Sequence, residues 1–148
     1  MNRPFQIETI EDSEKIEQIL LLFDSSFPRP ISERKGNLKD YALKLAERAV
    51  VDIISIEGKI AGFVAYYCND LSSKCAFLTQ IAVADDCKRQ HVAHTLLEYC
   101  IEKSKQKGME KLICEVDEDN ADSLKFFFTH GFVFSKKASD SSFYVKKI

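Results

Sequence analysis

No stretch of this sequence approaches the roughly 20 consecutive apolar residues that a membrane-spanning helix needs. The N-terminus also lacks the charged-then-apolar layout of a secretory leader, so a cytoplasmic protein with no membrane partner is expected. An excess of basic charge is missing as well: the net charge is −2, which argues against a nucleic-acid binder built on bulk positive charge. There is no C-x-x-C pair. The five cysteines (Cys68, Cys75, Cys87, Cys100 and Cys114) are odd in number and unclustered, which excludes a disulfide framework and gives no metal signature. Most sit inside apolar patterns, where free cysteine behaves as a small hydrophobe. Cys87 differs, because it abuts Lys88 and Arg89 in a turn expected to be exposed, a setting that lowers a thiol pKa.

What is present fits one soluble domain over residues 1–148, long enough to bury about two-thirds of its unfolded surface. An apolar share of 45% and a charged share of 30% are ordinary for a globular chain. Phe5 to Thr9 alternates like a strand. Asp12 or Ser13 then caps a helix whose apolar stripe is Ile16, Ile19, Leu20 and Phe23. Ser26 to Asn37 holds two prolines and a glycine without a period and reads as a loop. Helical spacing resumes over Leu38 to Val50. Val51 to Glu57 and Ile60 to Cys68 read as a hairpin around Gly58, and Cys75 to Val83 as a third strand.

The run from Thr79 to Glu98 organises the rest. A buried strand ends near Val83, a polar turn carries Lys88, Arg89 and Gln90, and a helix opens around Ala93. A basic turn feeding a helix start is an anion-binding layout, because backbone N–H groups and the helix dipole converge there. The helix predicted to Gln106 ends before Gly108, with lysines in its last turn. Lys111 to Val116 is the next strand, expected to pair in parallel with the one before the helix. Short strands at Val133 to Ser135 and Phe143 to Lys147 follow a second helix.

Two motifs carry a family resemblance. Ile81-Ala82-Val83 followed by Lys88-Arg89-Gln90-His91-Val92-Ala93 resembles the coenzyme A signature of the GCN5-related N-acetyltransferases (GNATs), R/Q-x-x-G-x-G/A after a Leu-x-Val strand end. His91 replaces its first glycine. Leu112 to Val116, then Asn120, Ser123, Phe126, Gly131 and Phe132, resemble the family's second pattern, at the family's separation from the first. The resemblance implies a mixed α/β (α+β) fold. It would have a mostly antiparallel sheet of six to seven strands, helices on both faces, and one splayed parallel strand pair at the coenzyme A site.

The resemblance further implies acetyl-CoA as cofactor, held by Ile81, Ala82, Val83, Lys88, Arg89, Gln90, His91, Val92, Ala93, His94, Thr95, Asn120, Ser123, Phe126 and Phe127. A backbone N–H near Val83 would serve the thioester oxygen, and Glu115 would be the base. By the same resemblance Phe27, Arg29, Ser32, Glu33 and Arg34, together with Tyr66, would contact a small-molecule or peptide amine acceptor. The tyrosine that normally supplies a proton is Phe127 here, with Tyr66, Tyr67 and Tyr144 as substitutes. Asn120 reads equally as a helix cap or a ligand contact. His91 and His94, three apart, lack further ligands at metal spacing.

Two functions stay open at this stage. One is an acetyl-CoA-dependent N-acetyltransferase acting on a small molecule, an amino sugar or a peptide. The other is a catalytically weakened, coenzyme A-binding regulator. Family habit adds a homodimer as an expectation. Arg29, Glu33 and Arg34 are compatible with anionic, zwitterionic or sugar acceptors alike.

Overall fold

The computed structural model describes residues 5–88 and 91–148. Seven strands form one sheet in the order β1-β2-β3-β4-β5-β7-β6. They are β1 (Phe5–Thr9), β2 (Val50–Ile56), β3 (Lys59–Tyr67), β4 (Cys75–Val83), β5 (Lys111–Asp117), β6 (Val133–Lys137) and β7 (Ser141–Lys147). The helices are α1 (Ser13–Phe23), α2 (Ile31–Lys35), α3 (Leu38–Arg48), α4 (Val92–Gln106) and α5 (Ala121–Thr129). The expected mostly antiparallel sheet is observed, with β4–β5 as its parallel pair. Among the described residues no helix is long and apolar enough to cross a membrane.

The helices form where side chains satisfy their first N–H groups and an apolar stripe faces the sheet. The Asp12 carboxylate accepts from Glu14 N at 3.1 Å and starts α1, whose buried face is Ile16, Ile19, Leu20 and Phe23. Asn37 accepts from Asp40 N at 3.0 Å and starts α3, which buries Leu38, Tyr41, Ala42 and Leu45. These two helices cover one face of the sheet against Val51, Ile53, Phe63 and Ala65. On the other face α4 packs Val92, Leu96, Leu97 and Cys100 onto Ile54, Val64, Leu78 and Leu112, with Phe127 and Phe132 beside them. Covered on both faces, β2 and β3 are almost continuously buried.

The segment from Ser26 to Asn37 is not all loop. A 3₁₀ turn spans Asp24–Ser26, and α2 occupies Ile31–Lys35. Pro30, at φ −54°, is preset for a helix entry, and Asp24 accepts from both the N–H and the hydroxyl of Ser32. One helical turn is too short to show periodicity in sequence. Cys87 is also not in an exposed turn. It is buried at 6% exposure in a 3₁₀ turn, Asp85–Cys87, and belongs to the core under α4.

Two packing features control the cofactor side. The β4–β5 pairing covers only Cys75–Leu78 against Lys111–Cys114, so β4 leaves its neighbour at Thr79. There the β3 register shifts between Ala65 and Tyr66, which makes Thr79 the extra residue of a bulge and strengthens the local twist. Gly62 on β3 lets α4 sit close. A β-carbon there would lie 2.6 Å from the Ala82 carbonyl oxygen, 3.0 Å from Val92 Cγ1 and 3.1 Å from Leu96 Cδ1.

Gly62→Ala should therefore cost about 1–3 kcal/mol by overpacking, because one clash is with backbone. It should also shift the α4 N-terminus; urea unfolding and amide exchange of Val92 to Leu96 check this. Alkaline stability follows from the buried thiols. Desolvation pushes Cys114 up to about 12 and raises Cys100 too, so both stay protonated in the fold while the unfolded chain ionises. Stability is then complete below the ordinary thiol pKa and falls as pH rises through it. The loss should be about 2 kcal/mol per thiol by pH 10, read from urea midpoints at pH 8 and 10. The C100A/C114A double variant should flatten the dependence.

Candidate active site

Where β4 separates from β5, the edge of β4 from Thr79 to Val83 has no strand partner on that side. Ala84 N donates to the Ala61 carbonyl on β3 at 2.8 Å. Strand alternation then turns the backbone groups of Val83 and Ile81 the other way, into the gap. Two cavities meet in it. The larger, about 760 Å³, is lined by Ile81, Ala82, Val83, Lys88, His91, Val92, Ala93, His94, Phe126 and His130. The smaller, about 290 Å³, is lined by Arg29, Arg34, Lys35, Thr79, Gln80, Glu115, Asp117 and Phe127. Phe27, Pro28, Ile81, Asn120 and Ser123 line both, and so mark the junction.

The larger cavity ends at the start of α4. The helices α1, α3 and α5 each have a side-chain cap, Asp12, Asn37 and Asn120 respectively, whereas α4 begins at His91 without one. Among the described residues no side chain caps its first N–H groups, which stand at the positive end of a 15-residue helix. His91 takes the left-handed conformation, φ 60° and ψ 23°, which is the geometry that the family's glycine would supply without strain. Histidine is among the non-glycine residues that visit this region more readily.

Beyond it, His130 Nδ1 lies 2.8 Å from the Phe126 carbonyl, which only accepts, so His130 donates there. Neutral His130 Nε2 must then accept from His94 Nδ1, 3.0 Å away. Both rings border the larger cavity.

In the smaller cavity Glu115 projects from β5, and its carboxylate accepts from the Ser141 hydroxyl at 2.5 Å. Opposite stands Arg34 of α2. Its Nε donates to the Arg29 carbonyl and its Nη2 to Gln80 Oε1, both at 3.0 Å, and its guanidinium lies 4.9 Å from the Phe27 ring centre. Gln80 Nε2 donates to the Tyr41 hydroxyl at 3.2 Å, which in turn lies 3.1 Å from Thr79 Oγ1. Desolvation lowers the pKa of Arg34 and, with Arg34's own charge added, that of Lys35.

Most of the sequence-derived site residues converge on these cavities; among the described residues six do not. Tyr66 is a correction. It is fully buried under α4 and donates to Asp52 at 2.7 Å, so it lines neither cavity. Ordinary strand alternation puts its ring on the α4 face of the sheet with Val64 and Cys68, where buried Asp52 needs a donor beside Thr9 and Lys103. Ser32 is committed to Asp24, and Glu33 lies at the surface 3.9 Å from Arg29. Thr95 bonds the His91 carbonyl from inside the helix. Tyr67 and Tyr144 also line neither cavity. Arg89 and Gln90 lie outside the described residues. Asn120 is a helix cap, accepting from Ser123 N at 3.1 Å, and it also lines both cavities.

Sequence reasoning missed Lys35, Gln80, Asp117 and His130, and with them the turn from Ser139 to Ser141. The alternation of β4 marks Gln80 as a buried polar residue on an apolar strand, a signal that was readable. The turn gave no signal, because it reaches the cavity only through the insertion of β7 beside β5.

A splayed parallel pair with an uncapped helix start at one end and a carboxylate at the other defines an acyl-transfer scaffold. Comparison agrees: residues 14–132 match the family model described as the acetyltransferase (GNAT) family, and the chain belongs to that family. No curated protein sequence matches it.

Among solved structures, the PaiA N-acetyltransferase of Thermoplasma acidophilum in complex with coenzyme A superposes with a TM-score of 0.79 at 15% identity, over 97% of this chain and 99% of that one. The ribosomal-protein-S18-alanine N-acetyltransferase of Escherichia coli gives 0.76 at 21% identity, over 98% and 94%. Ard1 of Thermoplasma volcanium gives 0.77 at 17%, over 97% of each.

His91→Gly should leave stability nearly unchanged, since relief of left-handed strain offsets the added freedom of the unfolded glycine. His91→Val should lose about 2 kcal/mol, because a β-branched residue tolerates that region worst. Thermal melts of the three proteins check the order.

Proposed function

We propose that the protein is an acetyl-CoA-dependent N-acetyltransferase that acts on a primary amine. The observation that carries this reading is the junction: a cavity ending at an uncapped helix start opens, through five shared residues, into one bearing Glu115. The residues fit the cofactor. The α4 N–H groups, Lys88 and His91 would take the phosphates, the free edge of β4 would take the amides of the pantetheine arm, and Phe126 and His130 would border it. When bound, acetyl-CoA supplies an acetyl group activated as a thioester.

This chain's own residues then do the rest. The Val83 N–H, turned into the gap, is the donor placed for an acyl oxygen. Glu115 takes the proton of the amine, and the Ser141 hydroxyl holds its carboxylate in place. Phe127 cannot supply a proton. Ser123 is the one hydroxyl among the described residues that lines both cavities, and it stands as hydrogen-bond donor at the junction.

Isothermal titration should show micromolar binding of acetyl-CoA, weakened by removal of the 3′-phosphate in dephospho-CoA. With acetyl-CoA saturating, Glu115→Gln should lower kcat by about 10²–10⁴ without loss of acetyl-CoA binding. Absence of binding overturns the cofactor assignment; binding without turnover of any amine points instead to a coenzyme A-binding regulator.

A further inference from the structure

We propose that the acceptor carries a carboxylate as well as its amine, and that Arg34 and Lys35 bind that carboxylate. This rests on the acetyltransferase reading and names the substrate class it leaves open.

Arg34 is held from three sides. Its guanidinium is clamped by three neutral groups, the Arg29 carbonyl, the Gln80 carboxamide and the face of Phe27. Gln80 is itself 2% exposed and fixed through Tyr41, so the clamp is set by the core and not by a mobile surface. Among the described residues neither Arg34 nor Lys35 makes an ion pair, although both line the smaller cavity. Arg29, by contrast, already faces Asp117 at 3.7 Å.

A guanidinium stripped of part of its water, with Asp117 near it but not in contact, is only partly compensated in the free protein. A planar carboxylate restores the balance and matches the remaining N–H donors of the fork. The opposite wall carries Glu115, bonded by Ser141, and Asp117. The cavity is thus polarised, cationic on the α2 side and anionic on the β5 side, as a zwitterion requires. A polyamine would meet Arg34 and Lys35 unfavourably, and a neutral amino sugar would bring neither of them a contacting counter-ion. At about 290 Å³ the cavity is at the small end for ligand sites, which favours a compact acceptor.

The test compares paired acceptors with acetyl-CoA saturating: glycine against glycinamide, alanine against alaninamide, and aspartyl-alaninamide against asparaginyl-alaninamide. The carboxylate member of at least one pair should have a kcat/KM higher by about tenfold or more. That ratio should fall toward one in Arg34→Gln, mainly through KM, and be partly kept in Arg34→Lys. Preference within the amino-acid pairs places the carboxylate on a free small molecule; preference within the peptide pair places it on an acidic first residue. Equal rates within every pair, or equal loss on both members in Arg34→Gln, overturn the proposal.

If acetyl-CoA binds but no amine is turned over, the acetyltransferase reading fails, and the same question is read by titrating N-acetylglycine against N-acetylglycinamide. Tighter binding of the acid that Arg34→Gln abolishes supports a carboxylate site; equal or undetectable binding of both overturns it.

Discussion

Everything functional in this molecule depends on β4 leaving β5 after four residue pairs. A parallel pair that stayed in register would satisfy its own backbone and leave nothing for a ligand. The divergence happens at Thr79, where one extra residue on β4 opposes the Ala65–Tyr66 step of β3 and turns the strand away. Three things follow from that geometry. The backbone of Ile81 and Val83 faces a gap, the start of α4 is carried to one end of it, and β5 presents Glu115 at the other. The bulge is not isolated either, since Thr79 Oγ1 meets Tyr41 of α3 and Tyr41 meets Gln80. The helix layer thereby reads the bend and transmits it to Arg34.

The scaffold tolerates a separated sheet because both faces are covered independently. One core packs α1 and α3 against β2 and β3, and the other packs α4 and α5 against β3, β4 and β5. Neither depends on the lower part of the β4–β5 seam. Gly62 is where the two demands meet, because α4 must approach β3 closely enough for its first turn to reach the gap. A helix set back by one methyl group would still bury its stripe, but its N–H groups would no longer face the mouth of the cavity.

Much of this was legible in the sequence, and the reasons are specific. Period-two and period-3.6 patterns placed β4 over Cys75–Val83 and set α1 and α3 within two residues, because both halves of those elements are amphipathic. The start of α4 was legible because a polar, basic turn running into an apolar helical pattern is a local feature. The acceptor end was not. It is assembled from α2, β5 and the turn before β7, which are distant in the chain, and α2 is a single turn without periodicity. Tyr66 was misplaced because β3 is buried on both faces, so its apolar run does not tell which face a side chain takes or that Asp52 on the neighbouring strand claims the hydroxyl.

The two departures from family pattern then have different physical weight. His91 stands in the left-handed region that glycine enters freely, so its cost falls on the backbone at the phosphate end. Phe127 costs the fold nothing. It packs edge-on against Phe132 at 5.1 Å and against Phe126 at 5.3 Å, and a hydroxyl on that ring would need a partner in a largely apolar setting. The fold thus carries local costs where ligand charge would repay them: a left-handed helix start without a side-chain cap in one cavity and a partly desolvated guanidinium without a contacting counter-ion in the other. The catalytic acid position has instead been given over to packing. Chains keep unfavourable local choices mainly where function compensates them. On the reading proposed above, both ends of the gap would be kept for binding, and the hydrogen bonding between them would fall to Ser123 and the free edge of β4.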